Sequence, residues 1–246
     1  FFFFFFSPLM SFGVQIKNGS NFIQIDENYQ NLLVVASGTL SKANTQLTIP
    51  SSIGDDYLIF CRPSNPDTSK MYKLEGSTFK TGTTNKAFMS CAYSPYFFAH
   101  KIDVDYVICV KAQDLSIPTT TYGLNVFNTD GTLSFSSDYP LMKITATRHH
   151  EITASNYNST EIWHTPTGGI ANIYALNMWY NQISWQVTSA GQERFYRDYY
   201  WSGFFDYPNN RFKTGTHLIT NDAQSGTPVG AQYKLGHKTE ILGYAI

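Results

Sequence analysis

Part of this chain occurs twice. Ser11-Phe12-Gly13-Val14-Gln15-Ile16-Lys17-Asn18 returns as Thr121-Tyr122-Gly123-Leu124-Asn125-Val126-Phe127-Asn128, so Phe12 reappears as Tyr122, 110 positions on. At the same offset Ile23 meets Leu133, Ile25 meets Phe135, Tyr29 meets Tyr139, Leu32 meets Met142 and Val34 meets Ile144. Each copy reads aromatic-Gly-aliphatic-polar-aliphatic, a small polar turn and a second alternating run, which is the pattern of a strand, a tight turn and a returning strand. A period this long is unlike a solenoid repeat and suits two related domains. The expected fold is therefore all-β, with two tandem β-sandwich-like domains related by an internal repeat.

The rest of the sequence agrees with that class. Charged residues make up 14% and aromatics 16% of the 246 residues, and Ser, Thr and Asn supply much of the remainder. Tyr, Phe and Thr favour pleated, half-buried surfaces, whereas Asn, Gly and Ser favour turns. The pattern predicts module one over 10–112, with strands at 13–17, 22–26, 31–36, 46–49, 57–61, 71–74, 87–92 and 105–111. A linker follows at 113–121, kept extended by Pro118. Module two spans 122–246, with strands at 123–127, 132–136, 141–147, 171–179, 182–188, 212–218, 232–235 and 239–246. Gln192–Tyr200 is long enough for one turn of helix, although its aromatic density argues against one. Imperfect alternation over 170–180 suits a strand covered on both faces. Both modules close on apolar strands, 106–110 and 240–246, which belong inside a sheet because an exposed apolar edge invites aggregation.

The first nine residues, six Phe followed by Ser7-Pro8-Leu9, precede Met10. They lack the basic start and the length of a signal peptide and are too short to span a bilayer. They read as a start site placed too early or as filler, the alternative being an apolar docking segment. Cys61, Cys91 and Cys109 form no CxxC pair, and two of them sit in apolar runs, so reduced, buried thiols are expected. That fits folding in a reducing cytoplasm.

Composition also limits the chemistry. A net charge of −1 without a basic cluster argues against duplex nucleic acid. There is no phosphate-binding glycine loop, GxSxG elbow or HExxH helix. His149-His150-Glu151 is the tightest histidine cluster, and on a strand it places too few ligands on one face for a metal. Asp103 with Asp105, and Glu193 with Asp198, are the carboxylate pairs a glycosidase could use. The sequence assigns no catalytic, cofactor-binding or metal residue.

The densest local signal is 194–207. Arg194, Phe195, Tyr196, Arg197, Tyr199, Tyr200, Trp201, Phe204, Phe205 and Tyr207 offer aromatic faces with a polar rim, suited to a protein interface or to saccharide stacking. A smaller cluster, Tyr93 to His100, has the same character.

The repeated motif, Met10-Ser11-Phe12-Gly13-Val14-Gln15 and Tyr122-Gly123-Leu124-Asn125-Val126-Phe127-Asn128, resembles the start of small tail proteins of long-tailed bacteriophages. The resemblance covers about 25 residues of each module and implies a structural virion role at the distal tail, tip or fibre, in tail architecture or host attachment. It carries no catalytic residues. The expected partners are other tail proteins and further copies of the chain, a trimer being favoured because low charge and many aromatics leave apolar patches. A cell-surface glycan or protein receptor is a further expected partner. The alternative function is a carbohydrate-binding module or adhesin using 195–207, and a weaker one is a glycan depolymerase.

Overall fold

The structure, a computed structural model, describes residues 16–17, 23–25, 31–93, 100–115, 123–128, 130–152, 162–166, 169–176, 182–188, 193–225 and 236–245. Side chains are described at 31–93, 100–115, 123–128, 130–147, 165–166, 169–176, 203–212 and 242–243. The protein is all-β. Before the 113–121 segment come β1 (Ile16–Lys17), β2 (Ile23–Ile25), β3 (Leu32–Leu40), β4 (Gln46–Thr48), β5 (Leu58–Pro63), β6 (Met71–Thr81), β7 (Thr84–Tyr93), β8 (His100–Ile102) and β9 (Val104–Lys111). After it come β10 (Asn125–Phe127), β11 (Leu133–Ser136), β12 (Met142–Ile152), β13 (Ile162–His164), β14 (Tyr174–Leu176), β15 (Gln182–Thr188), β16 (Glu193–Asp206), β17 (Arg211–Ser225) and β18 (Gly236–Ala245).

The duplicated sequence folds into duplicated pairings. In the first hairpin Ile16 pairs with Ile25 and Lys17 with Ile23, with an irregularity between Ile16 and Lys17. In the second, Val126 pairs with Phe135 and Phe127 with Leu133, with the irregularity between Val126 and Phe127. These are the same pairs shifted by the repeat. The strand after each hairpin behaves likewise. β3 against β9 slips between Val34 and Ala36, and β12 against β18 slips between Ile144 and Ala146. Each slip inserts one residue, Val35 or Thr145, and a one-residue insertion reverses which face later side chains serve. Thus Leu32 and Val34 pack on one face of their sheet, while Ala36 and Leu40 pack on the other.

Six strands form one antiparallel sheet in the order β12-β18-β14-β5-β9-β3. The order reads as β3-β9-β5 met head-on by its counterpart β12-β18-β14. β9 and β18, the apolar closing strands, are interior, and β14 pairs on both sides, with β18 and β5. The outermost strands also touch: Leu33 bridges Leu141, and the Val34 N–H donates to Pro140 O at 2.8 Å. The sheet therefore curls so that the starts of its outermost strands touch. One face carries Val34, Phe60, Val107, Cys109 and Met142, all buried. The opposite face contributes Ile59, Cys61, Ile108, Ala175 and Leu242 to a larger core shared with the second sheet, so the first set fills the inside of the curl.

The second sheet has eight strands, along the path β13-β17-β16-β6-β7-β4, with β15 on β16 and β8 on β7. Tyr72, Leu74, Met89, Cys91, Phe205 and Phe212 face the shared core. All three cysteines are buried thiols outside any disulfide, and burial pushes the Cys109 thiol up to about 12.

The expectation of two sandwich-like domains in tandem holds at its coarser level, the all-β class. Each large sheet takes strands from both sides of 113–121, so the halves are joined through continuous hydrogen bonding. Three strands were not foreseen: β8, β13 and β16. The last occupies the stretch weighed as a turn of helix, because both of its sides are taken up by strand pairing with β15 and β17. The expected strand at 232–235 and the first nine residues lie outside the described residues.

Candidate functional site

The aromatic segment is the body of β16, and its two ends have different neighbours. From Gly203 to Asp206 the strand pairs with β6 on one side and β17 on the other, inside the eight-stranded sheet. From Arg194 to Tyr200 it pairs instead with β15 and β17. Phe195 sits between Val187 and Ala223, Tyr196 between Gln186 and Asp222, and Arg197 between Trp185 and Asn221. Beyond an irregularity at Asp198/Tyr199, Tyr199 pairs with Leu218, Tyr200 with His217 and Trp201 with Thr216. The side chains of Arg194, Phe195, Tyr196, Arg197, Tyr199, Tyr200 and Trp201 lie outside the described residues.

The other end of the segment is core, which corrects part of the expected interface. Phe205 is fully buried and meets Phe212 edge-on at 5.0 Å, and Phe204 is buried as well. Alternation explains why: once Phe205 faces the shared core, Phe204 must face the other side of the sheet, where it pairs with the buried Lys73. Tyr207 is half-buried, stacked on Phe205 at 6.1 Å and edge-on to Tyr72 at 5.8 Å. Its hydroxyl is buried with no hydrogen-bond partner among the described residues, and burial raises its pKa.

This file of rings continues to the surface and joins the two aromatic clusters of the sequence. Tyr72 meets Tyr93 edge-on at 5.6 Å, and Tyr93 stacks on the exposed His100 at 5.0 Å. Lys70 places its ammonium 4.0 Å from the Tyr93 ring centroid and bridges to Asp67 at 3.0 Å. Tyr93 thus has an imidazole and a cation against it, which leaves little ring face for a sugar to stack on. Sequence reasoning missed Lys70 and Asp67. The signal was there in Pro66-Asp67-Thr68-Ser69, where the Asp67 carboxylate accepts from the Ser69 N–H and hydroxyl to close a turn. The residues between Tyr93 and His100 lie outside the described residues.

Charged groups here act as clamps. Burial opposes ionisation of Asp206, but hydrogen bonds from Arg211 and Asn209 outweigh it and hold the carboxyl below its usual range. Those bonds fix the turn between β16 and β17: Arg211 Nε donates to Asp206 Oδ2 at 2.8 Å, and Asn209 Nδ2 donates to both carboxylate oxygens. On β6, Lys73 and Glu75 form a buried ion pair, and burial lowers the Lys73 pKa against the pull of Glu75. The carboxylate pair Asp103 and Asp105 is likewise engaged. Asp103 accepts the Lys42 N–H at 2.8 Å, while Asp105 accepts from Thr39 and Arg62. Arg62 in turn lies 4.6 Å above the Tyr174 ring centroid and donates to Ala171 O. The side chains of His149, His150, Glu151, Glu193 and Asp198 lie outside the described residues. Among the described residues no group of three or more His, Cys, Asp or Glu could hold a metal.

Residues 7–170, well over half of the chain, match the model of a family of unknown function, DUF6453. The chain belongs to this family. The DUF6453 match takes in the first half and runs through β13 to Ile170, stopping short of β14 to β18 and of the aromatic strand β16. No curated protein and no solved structure matches the chain.

Proposed function

We propose that this protein is a structural component of a long-tailed bacteriophage tail, at the tip or fibre, built from two sandwich-like halves that arose by duplication. The observation that carries the reading is the coincidence of the two copies in pairing register: the same hairpin irregularity and the same one-residue insertion recur at the repeat offset. Two units with one set of registers, fused through shared sheets, make a stiff body that holds its loops at a fixed spacing. Rigid display of that kind is what a tail part acting through protein–protein contacts requires. The role would be exercised at the distal tail, among other tail proteins and further copies of the chain.

Antibody labelling of phage particles tests this. The reading expects label at the distal tail of intact virions. Particles free of the protein would reject it. A glycan array separates the carbohydrate-binding alternative, since a purely architectural part binds no glycan. The covered ring of Tyr93 favours the architectural reading at that cluster.

A further inference from the structure

An edge strand presents unpaired N–H and C=O groups that invite another strand, and proteins blunt such edges by shortness, charge or proline. The outer strands of the six-stranded sheet touch each other only at their starts, and along the rest of their length β3 carries Gly38 and β12 carries Arg148 and Glu151. In the eight-stranded sheet β4, β8 and β13 are each three residues long. The side of β17 beyond its pairing with β13 carries Gly215, His217 and Asp222. β15 has none of these protections. It runs seven residues, Gln182-Ile183-Ser184-Trp185-Gln186-Val187-Thr188, without a charge, glycine or proline, and among the described residues it pairs on one side only, with β16.

We propose that β15 is an interface strand, pairing antiparallel with β15 of a second copy of this chain and joining two eight-stranded sheets edge to edge. The occupant follows from the strand's own sequence. In a two-fold pairing centred on Trp185, Gln182 of one copy faces Thr188 of the other, Ile183 faces Val187, Ser184 faces Gln186, and Trp185 faces itself. Polar meets polar and apolar meets apolar at every position, and the odd length with strict alternation makes the strand its own complement. The centred register is the one that pairs all seven residues, and a slip of one residue would oppose apolar to polar throughout. Such a contact is isologous and closes at two copies, so it does not propagate into a filament. The proposal stands independently of the tail reading.

The register gives the test. Ser184→Lys with Gln186→Lys sets lysine against lysine twice across the two-fold. Ser184→Lys with Gln186→Glu sets lysine against glutamate twice. Analytical ultracentrifugation should show the wild type as a dimer. The Lys/Lys variant should weaken it by about tenfold or more, and the Lys/Glu variant should restore it. A wild-type monomer or trimer at micromolar concentration, a dimer indifferent to Lys/Lys, or one not rescued by Lys/Glu would overturn the proposal. Hydrogen exchange of the wild type needs no variant to fold: amides of 182–188 gain protection as concentration rises, and no gain would equally overturn it.

Discussion

Phe60 and Leu176 are register partners across the junction of β5 and β14, and each is the other's counterpart in the duplication. Leu58 pairs with Cys109 in the first half as Tyr174 pairs with Gly243 in the second, so two residues further along Phe60 corresponds to Leu176. The halves thus join at two positions that are equivalent in register. Both residues pack in the curl of the six-stranded sheet, Phe60 with no exposure at all. Phe60→Ala should therefore destabilise the whole protein by about 3–5 kcal/mol. Urea unfolding followed by a probe in either half should shift by the same amount. A shift confined to the first half would contradict the joint core.

The duplicated positions keep their register but not their residues. Cys109 has Gly243 as its counterpart, and Leu32 has the longer Met142. A Cβ on Gly243 would lie 2.7 Å from Lys143 O and 3.0 Å from Met142 Cε. Gly243→Ala should cost about 1–3 kcal/mol through overpacking. Adding Met142→Ala should not recover it, since the tighter clash is with backbone. Thermal melts of the single and double variants decide this, and full recovery would show that Met142 alone sets the limit.

The Lys73–Glu75 pair is buried on both sides. Lys73→Met strands a buried carboxylate and should destabilise by about 3 kcal/mol, whereas Lys73→Met with Glu75→Leu should recover most of the loss. Chemical denaturation of the two variants checks the order. A double variant no better than the single would mean that the pair itself stabilises.

Acid sensitivity should trace in part to Asp67. Hydrogen bonds from the Ser69 hydroxyl and N–H, then from Lys70, pull its carboxyl down to about 2. A carboxyl lowered in the folded state contributes stability above its unfolded value of about 3.9, and that contribution is lost as pH falls towards 2. Asp67→Asn should therefore lose stability at pH 5 and match the wild type near pH 2. Urea midpoints at the two pH values measure it, and an equal deficit at both would exclude the charge as the cause.

What the sequence made legible was local. The hairpins of β1 with β2 and of β10 with β11 stood out because alternation and turn residues repeat together in the sequence, and the interior position of β9 and β18 followed from their apolar runs. The junction of Phe60 with Leu176 left no such trace, because pairing between distant strands has no local signature. The insertions at Val35 and Thr145 were equally hidden, since either residue suits an unbroken strand. In the aromatic segment, alternation implies only that consecutive rings such as Phe204 and Phe205 cannot both face one core. Which of them entered the shared core depended on the pairing of β16 with β6, fixed only by the fold.

Native-state hydrogen exchange on the wild-type chain tests the central claim, that the two halves are one structure sharing both sheets, most directly. If they are, the slowest amides of β5, β9, β14 and β18 exchange together through a single global opening with one free energy and one denaturant dependence. Amides of β5 and β9 that stay protected while those of β14 and β18 exchange through a separate opening, or the reverse, would contradict it.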